Sequence, residues 1–257
     1  MTVPTYVPYF VLVSGTAIVA ALLLGLRLAL GRAGWSVEDQ RRVVRISALV
    51  LIGWLGVALV LGMSGIYRTG ADEIPKIQYG ILVPILIGAM LIMRSSGVAR
   101  VIDAVPQHWL IGVQLYRALG IIFLILYGAG KMPGLFAWPA GIGDVLVGAL
   151  ALVVAIAYAR GPEKNGDLVW AWNILGLTDL GVAVATGMIT APSPIQQFAF
   201  DLPNELVGSF PLILIPTYLV PLSVLLHLAS LTKLRTTAQH MELQHGRVAY
   251  AASMPTP

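Results

Sequence analysis

The chain has 257 residues, of which 58% are apolar and only 11% are charged, whereas soluble domains carry about 45–50% apolar and about 25% charged residues. This composition, a mean hydropathy of +0.84 and apolar runs of about 20 residues are typical of polytopic membrane proteins, so soluble enzymes, secreted domains and nucleic-acid binders are excluded. The chain has no cysteine, which excludes disulfides, thiolate metal sites and cysteine nucleophiles, and we interpret its small net charge of +4 as a signal of membrane orientation.

Seven apolar runs follow one another along the chain, each within the roughly 17–25 residues that a helix needs to cross a bilayer. The connections between them are short and polar. We therefore predict an all-α integral membrane protein, a seven-transmembrane-helix bundle over residues 1–232, followed by a disordered cytoplasmic tail over residues 233–257. The spans are expected near residues 6–30, 45–66, 77–95, 109–131, 138–159, 168–190 and 207–231.

Basic residues are unevenly distributed between the two sides of this bundle. Of the 16 Lys and Arg residues, only Arg117 lies well inside a predicted span; three lie at the span ends or in the connections on one side, and twelve on the other side. Because the more basic side stays cytoplasmic, the N-terminus is expected outside and the C-terminus in the cytoplasm, as an odd number of spans requires. The expected location is the cytoplasmic (inner) membrane.

Two pairs of similar segments favour a 3+1+3 parallel repeat, in which the fourth span joins two three-helix units. Residues 55–63 and 180–188 share Leu, Gly, Val, Ala, Gly and Met at matching positions, and the third and seventh spans share Ile-Leu-Val-Pro84 and Ile-Leu-Ile-Pro216. In this topology alone the chain resembles the SWEET family of sugar transporters. None of that family's motifs is present, so the resemblance implies no residue roles.

Three ionisable side chains lie well inside the spans: Arg117 in the fourth, Asp144 in the fifth and Asp179 in the sixth. Each would cost at least about 2.5–3.5 kcal/mol at the centre of a helix in lipid, so we expect them to face the interior of the bundle. A rise of about 1.5 Å per residue places Arg117 level with Asp179, and Asp144 nearer the depth of Lys131. We interpret them as a substrate, ion or proton site; the alternative is a static salt-bridge network that fixes helix packing.

Two further polar side chains are candidate substrate or ion contacts. Gln114 shares a helical face with Arg117, and Asn173 lies in the inner third of the sixth span. The tryptophans near span ends are interpreted as interfacial anchors. They are Trp109, Trp138, Trp170 and Trp172.

The seventh span is predicted to be broken by prolines. Pro216 and Pro221 would each free the carbonyl four residues earlier, those of Leu212 and Thr217, so we expect a kinked helix in which the two prolines act as hinges. Thr217 and Tyr218 lie beside this break and complete the candidate binding residues.

One cofactor pattern is present in the sequence. His108 and His227 both lie near the cytoplasmic face and could serve as the two axial ligands of a haem b. Apart from this alternative we expect no cofactor and no metal site. The seventh span has no lysine that could form a Schiff base with retinal.

These features favour a small-solute or ion carrier with a charged site between spans four to seven and a moving seventh helix. The alternatives are a ligand-sensing or accessory membrane subunit and a haem-binding redox subunit. No catalytic residues are predicted, and enzyme activity is left open. The expected partners are the lipid bilayer, a small molecule or ion, and either a second copy of the chain or another membrane subunit, without nucleic acid.

Overall fold

The computed structural model describes residues 3–70 and 72–252, with side chains up to residue 239. This part of the chain is helical and contains no β-strand. The helices are α1 (Tyr6–Arg32), α2 (Val37–Met63), α3 (Ile77–Arg94), α4 (Ser96–Ala104), α5 (Gln107–Gly112), α6 (Ile121–Gly128), α7 (Gly134–Arg160), α8 (Gly166–Thr190) and α9 (Val220–Ala252). A 3₁₀ segment, Val113–Gly120, joins α5 to α6, and a π-helical turn, Ile215–Leu219, leads into α9.

Seven helical stretches of the described chain are long and apolar enough to cross a membrane. Large apolar side chains cover their outer surface; Leu49 is 75% exposed and Met93 is 72% exposed. A water-soluble protein rarely exposes so much apolar surface, whereas lipid is the natural environment for it. The seven stretches are Tyr6–Arg32, Val37–Met63, Ile77–Arg94, Gln107–Gly128, Gly134–Arg160, Gly166–Thr190 and Ile215–Gln239, which correspond in order to the seven predicted spans.

The connections define two ends of the bundle. The upper end carries residues 64–76, 129–133 and 191–214, and the lower end carries residues 33–36, 95–106 and 161–165. At the lower end Ser36 caps α2, because its hydroxyl accepts a hydrogen bond from the Asp39 backbone N–H at 3.1 Å. The helix therefore begins about two turns before the apolar run does.

Helix α7 packs against α5, the 3₁₀ segment, α6 and α8. Gly148 brings it close to the fourth span: a Cβ at this position would lie 2.6 Å from the Ala118 backbone nitrogen. Small residues allow such close approaches between membrane helices. The packed core includes Val7 and Val11 of α1, Ile122 and Leu126 of α6, Ala137 of α7 and Leu212.

The seventh span is broken, as its prolines predict, but its helix begins later than expected. Residues 207–213 form turns, and helical geometry starts with the π turn that contains Pro216. The Leu212 carbonyl, which we expected to be free, accepts a hydrogen bond from the Ile215 N–H at 2.9 Å. This part of the prediction is wrong, because a turn replaces the α-helix in which the proline would have left that carbonyl without a donor.

At its other end α9 passes through residue 233 without a break and continues to Ala252. The tail predicted over residues 233–257 stays a prediction. Its last residues, 253–257, lie outside the described part of the chain.

Candidate functional site

Arg117 joins the two acidic side chains of the bundle interior. Its Nε atom donates a hydrogen bond to Asp144 Oδ1 at 2.8 Å, its Nη2 atom lies 2.7 Å from the same oxygen as an ion-pair contact, and Nη2 donates to Asp179 Oδ2. The arginine side chain is 2% exposed, whereas those of Asp144 and Asp179 are 16% and 11% exposed. The three residues, called here the charge cluster, therefore link spans four, five and six.

The position of Asp144 differs from the depth estimate, which placed it near Lys131. Helix α7 begins at Gly134, four residues before the predicted start of this span, so Asp144 lies about 15 Å along the helix at about 1.5 Å per residue. The 3₁₀ segment also has a larger rise of about 2.0 Å per residue, which moves Arg117 further from the lower end. Asp144 consequently pairs with Arg117, and the predicted proximity to Lys131 is wrong.

Three glycines make room for the polar side chains at this level. A Cβ at Gly120 would collide with the side chain of Asp144, and one at Gly143 would collide with Asp179. A Cβ at Gly176 would collide with the imidazole of His227. Larger residues here would force the helices apart or displace the charged groups.

His227 of α9 extends the cluster to the seventh span. Its Nε2 atom lies 3.3 Å from Arg117 Nη1, and its Nδ1 atom lies 2.9 Å from Asn173 Oδ1. The amide nitrogen of Asn173 donates to Ser230 Oγ at 3.0 Å, so the amide oxygen is the atom that faces the imidazole. Because the guanidinium can only donate, the neutral ring with hydrogen on Nδ1 satisfies all these contacts.

Both ring nitrogens of His227 are thus in use. A bond from this histidine to haem iron would have to replace its hydrogen bond to Arg117 or to Asn173. The ring of His108 packs edge-on against Trp109, with centroids 6.4 Å apart. The haem alternative stays a prediction, and an absorption spectrum with and without dithionite tests it.

From His227 the hydrogen bonds continue toward the lower end. Ser230 Oγ also accepts from Gln107 Nε2 at 2.8 Å, and Gln107 is the first residue of α5. Each of these side chains is buried. They form a continuous chain, called here the lower polar chain, that consists of Arg117, His227, Asn173, Ser230 and Gln107.

A cavity of about 510 Å³ occupies the upper half of the bundle, between the helices and the upper connections. Asp144 lies in its wall, and most of the other lining side chains are apolar. Tyr67 also lines it, and burial raises the pKa of this phenol above its usual 10.0, so its hydroxyl stays protonated. The apolar wall includes Ile81, Phe123, Phe136, Leu180, Met188 and Ile215.

A second, smaller cavity of about 40 Å³ reaches the charge cluster itself. Arg117, Tyr116 and Ser223 line it, and the Tyr116 and Ser223 hydroxyls lie 2.6 Å apart. Asp144 and Leu180 line both cavities. The carboxylate of Asp144 therefore lies between the upper cavity and the buried arginine.

The prolines and polar residues predicted in the seventh span have separate positions. Pro216 lines the upper cavity. The Thr217 hydroxyl donates to the Ile213 carbonyl at 2.7 Å, and the Tyr218 hydroxyl donates to the Leu51 carbonyl at 3.1 Å. Both hydroxyls therefore hold the fold in this structure. Pro221 lies in the first turn of α9.

Several polar residues at the site were not predicted from the sequence. Ser223 and Ser230 flank His227 at spacings of four and three, which places all three on one face of α9. A periodic polar face in an apolar helix is a pattern from which these residues could have been predicted. No such pattern marks Asn204, because it lies in the connection 191–214 and its place at the upper cavity depends on the course of this loop.

Trp172 is also placed differently from its prediction. It is buried, and its indole N–H donates to the Val147 carbonyl at 3.1 Å. Its interpretation as an interfacial anchor is wrong, because its face of α8 packs against α7. Trp138 and Trp170 are about half exposed at span ends, where anchors are expected.

Gln114 is fully buried, and neither atom of its amide has a hydrogen-bond partner among the described residues. A buried amide without partners costs about 1–3 kcal/mol. We therefore expect Gln114→Met, which keeps the volume, to raise the thermal unfolding midpoint of the purified protein. If the amide acts in a second conformation, the same variant should lose turnover while gaining stability. A lower midpoint would show that Gln114 has a structural partner.

The helices and their apolar outer surface define a polytopic α-helical protein of the membrane class, with a charged interior. The chain belongs to the family described as a domain of unknown function, DUF8737, whose model matches residues 74–235. The matched region contains the charge cluster and the whole lower polar chain. No curated protein and no solved structure matches the chain.

Proposed function

We propose that this protein is a carrier for a small solute or ion, bound between spans four and seven. The observation that carries the proposal is the contact between the upper cavity and the charge cluster. Asp144 lines the cavity, its side chain remains partly exposed, and it is bonded to a buried arginine. Intramembrane charges that border a cavity commonly mark a substrate or ion pathway.

The two halves of the bundle differ as a carrier requires. Above the cluster lies the 510 Å³ cavity, and below it the lower polar chain fills the space between spans four, six and seven. Alternating access needs a conformation that is open on one side and closed on the other. We assign this structure to the conformation that is open at the upper end.

The seventh span is the proposed moving part, with Pro216 and Pro221 as hinges. The π turn Ile215–Leu219 interrupts regular helical hydrogen bonding beside the cavity. Such turns occur often at functional sites, because they loosen the helix locally. A rotation of α9 below this turn would separate His227 and Ser230 from Asn173, opening the lower polar chain.

The distribution of basic residues supports an extracytoplasmic upper end and a cytoplasmic lower end in the cytoplasmic membrane. The upper cavity would thus open to the outside. The 3+1+3 repeat and the association with a second copy or another subunit stay predictions.

Two-sided cysteine accessibility tests the carrier proposal, and the natural absence of cysteine makes every introduced thiol unique. In sealed vesicles of both orientations, Ala183→Cys in the cavity wall should react with an impermeant thiol reagent only from outside. Ser230→Cys, buried in the lower polar chain, should react only from the cytoplasmic side, as that side opens transiently.

Ala140→Cys is the matched control, because Ala140 is as buried as Ser230 but belongs to the apolar core. It should stay unreactive. A static membrane subunit predicts instead that Ser230→Cys is as inert as Ala140→Cys from either side, and that result would refute the carrier proposal.

A further inference from the structure

On the basis of the proposed carrier function, we infer that its substrate is a monovalent organic cation: an ammonium or guanidinium group attached to an apolar body that ends in a hydrogen-bonding group. Three independent features of the upper cavity and the charge cluster lead to this class.

The first feature is the charge of the cluster. With both carboxyl groups ionised, Arg117 contributes one positive charge, Asp144 and Asp179 contribute two negative charges, and His227 is neutral because its Nε2 accepts from Arg117. The cluster therefore carries one excess negative charge. An uncompensated charge in a low-dielectric interior is unfavourable, so one more positive charge belongs at this site.

The place for that charge is the carboxylate of Asp144. The Nε hydrogen bond and the Nη2 ion-pair contact of Arg117 both end on its Oδ1 atom, and no described residue donates a hydrogen bond to Oδ2. Its side chain is partly exposed and lies in the wall of both cavities. A cation entering the upper cavity thus meets this carboxylate before it meets the buried guanidinium.

The second feature is the apolar wall above Asp144. The Phe123 and Phe136 rings lie edge to face with centroids 5.1 Å apart, and Ile81, Leu180 and Ile215 surround the same space. A small inorganic cation would lose its hydration among these side chains without gaining ligands. An organic cation is weakly hydrated, buries its apolar body against the wall and gains from the aromatic faces.

The third feature lies at the upper rim. Asn204 lines the cavity and is 2% exposed, yet neither its side-chain oxygen nor its nitrogen has a partner among the described residues. Buried amides normally have partners. Asn204 is therefore the residue of the cavity wall that we assign to a hydrogen-bonding group of the ligand. The charged side chains at the same rim are Arg68 and Glu205, which have opposite signs.

Thermal unfolding of the full-length protein in detergent tests the inference with three probes that share one apolar body. They are 4-(4-hydroxyphenyl)butylammonium, neutral 4-(4-hydroxyphenyl)butanol and anionic 4-(4-hydroxyphenyl)butyrate, whose phenol is the hydrogen-bonding end. We expect the ammonium alone to raise the midpoint, saturably and by about 3 °C or more at ten times its dissociation constant. Asp144→Asn should abolish the shift. Glu73→Gln, which removes an exposed carboxylate outside the cavity, should retain it.

Equal shifts with the alcohol or the carboxylate would overturn the inference, because the cavity would then select only an apolar body or the opposite charge. The absence of any shift would also overturn it. Either result leaves the cysteine experiment intact as the test of the carrier. Conversely, the ammonium probe could raise the unfolding midpoint saturably while Ser230→Cys fails to react from either side. That outcome would support the cation site and refute transport.

Discussion

Replacing Arg117 by methionine is expected to cause the largest loss of folded protein of any single substitution in the bundle interior. The substitution keeps most of the side-chain volume but leaves Asp144 and Asp179 without their shared partner. Removing one partner of a buried ion pair costs about 3–5 kcal/mol, because the remaining charge stays in a low-dielectric interior. The monodisperse fraction in detergent size-exclusion chromatography measures the effect.

Two controls make this result specific. Arg160→Met removes an arginine at the end of α7 and should leave the monodisperse fraction unchanged. Combining Arg117→Met with Asp144→Asn and Asp179→Asn should restore folding, because no buried charge then remains unpaired. If Arg117→Met alone folds as well as the unsubstituted chain, the cluster does not carry the charges assigned to it.

Asp144→Asn is expected to keep or raise the stability of the protein and to abolish its function. It leaves Arg117 paired with Asp179, so the net charge of the cluster changes from −1 to zero. The unfolding midpoint should equal or exceed that of the unsubstituted protein, whereas substrate binding and transport should be lost. Stability and binding are measured on the same purified sample.

Asp179→Asn is the comparison for this variant. It changes the net charge of the cluster by the same amount and leaves Arg117 with its hydrogen bond and its ion-pair contact to Asp144, so it should also fold. We expect it to lose transport. If both asparagine variants lose folded yield as severely as Arg117→Met, the cluster is a static salt-bridge network.

Much of this site could be predicted from general membrane energetics. A charge in the middle of an apolar span has to face protein or water, so the convergence of Arg117, Asp144 and Asp179 was expected before their contacts were known. Their depths were less predictable. The estimate for Asp144 failed because the fifth span was predicted to start near residue 138, whereas its helix begins at Gly134.

Hydrogen bonds from side chains to backbone carbonyls could not be predicted from sequence patterns. The Tyr218 hydroxyl bonds to the carbonyl of Leu51, and any residue type at position 51 would present the same oxygen. The indole of Trp172 bonds to a carbonyl of α7 in the same way. The polar cavity rim at Asn204 depends on the course of a non-helical connection, for which the sequence has no periodic signal.

The central claim is that the upper cavity leads from outside to an acidic site. The rates at which a thiol in this cavity reacts with cationic and anionic reagents test this claim most directly. Ala183→Cys lies one turn beyond Asp179 in the cavity wall. We expect a cationic methanethiosulfonate reagent, added outside, to modify it at least about tenfold faster than the anionic reagent of similar size, a ratio that corresponds to about 1.4 kcal/mol. Adding Asp144→Asn should remove the preference. If Ala183→Cys alone reacts equally fast with both reagents, or faster with the anionic one, the claim of an acidic site is contradicted.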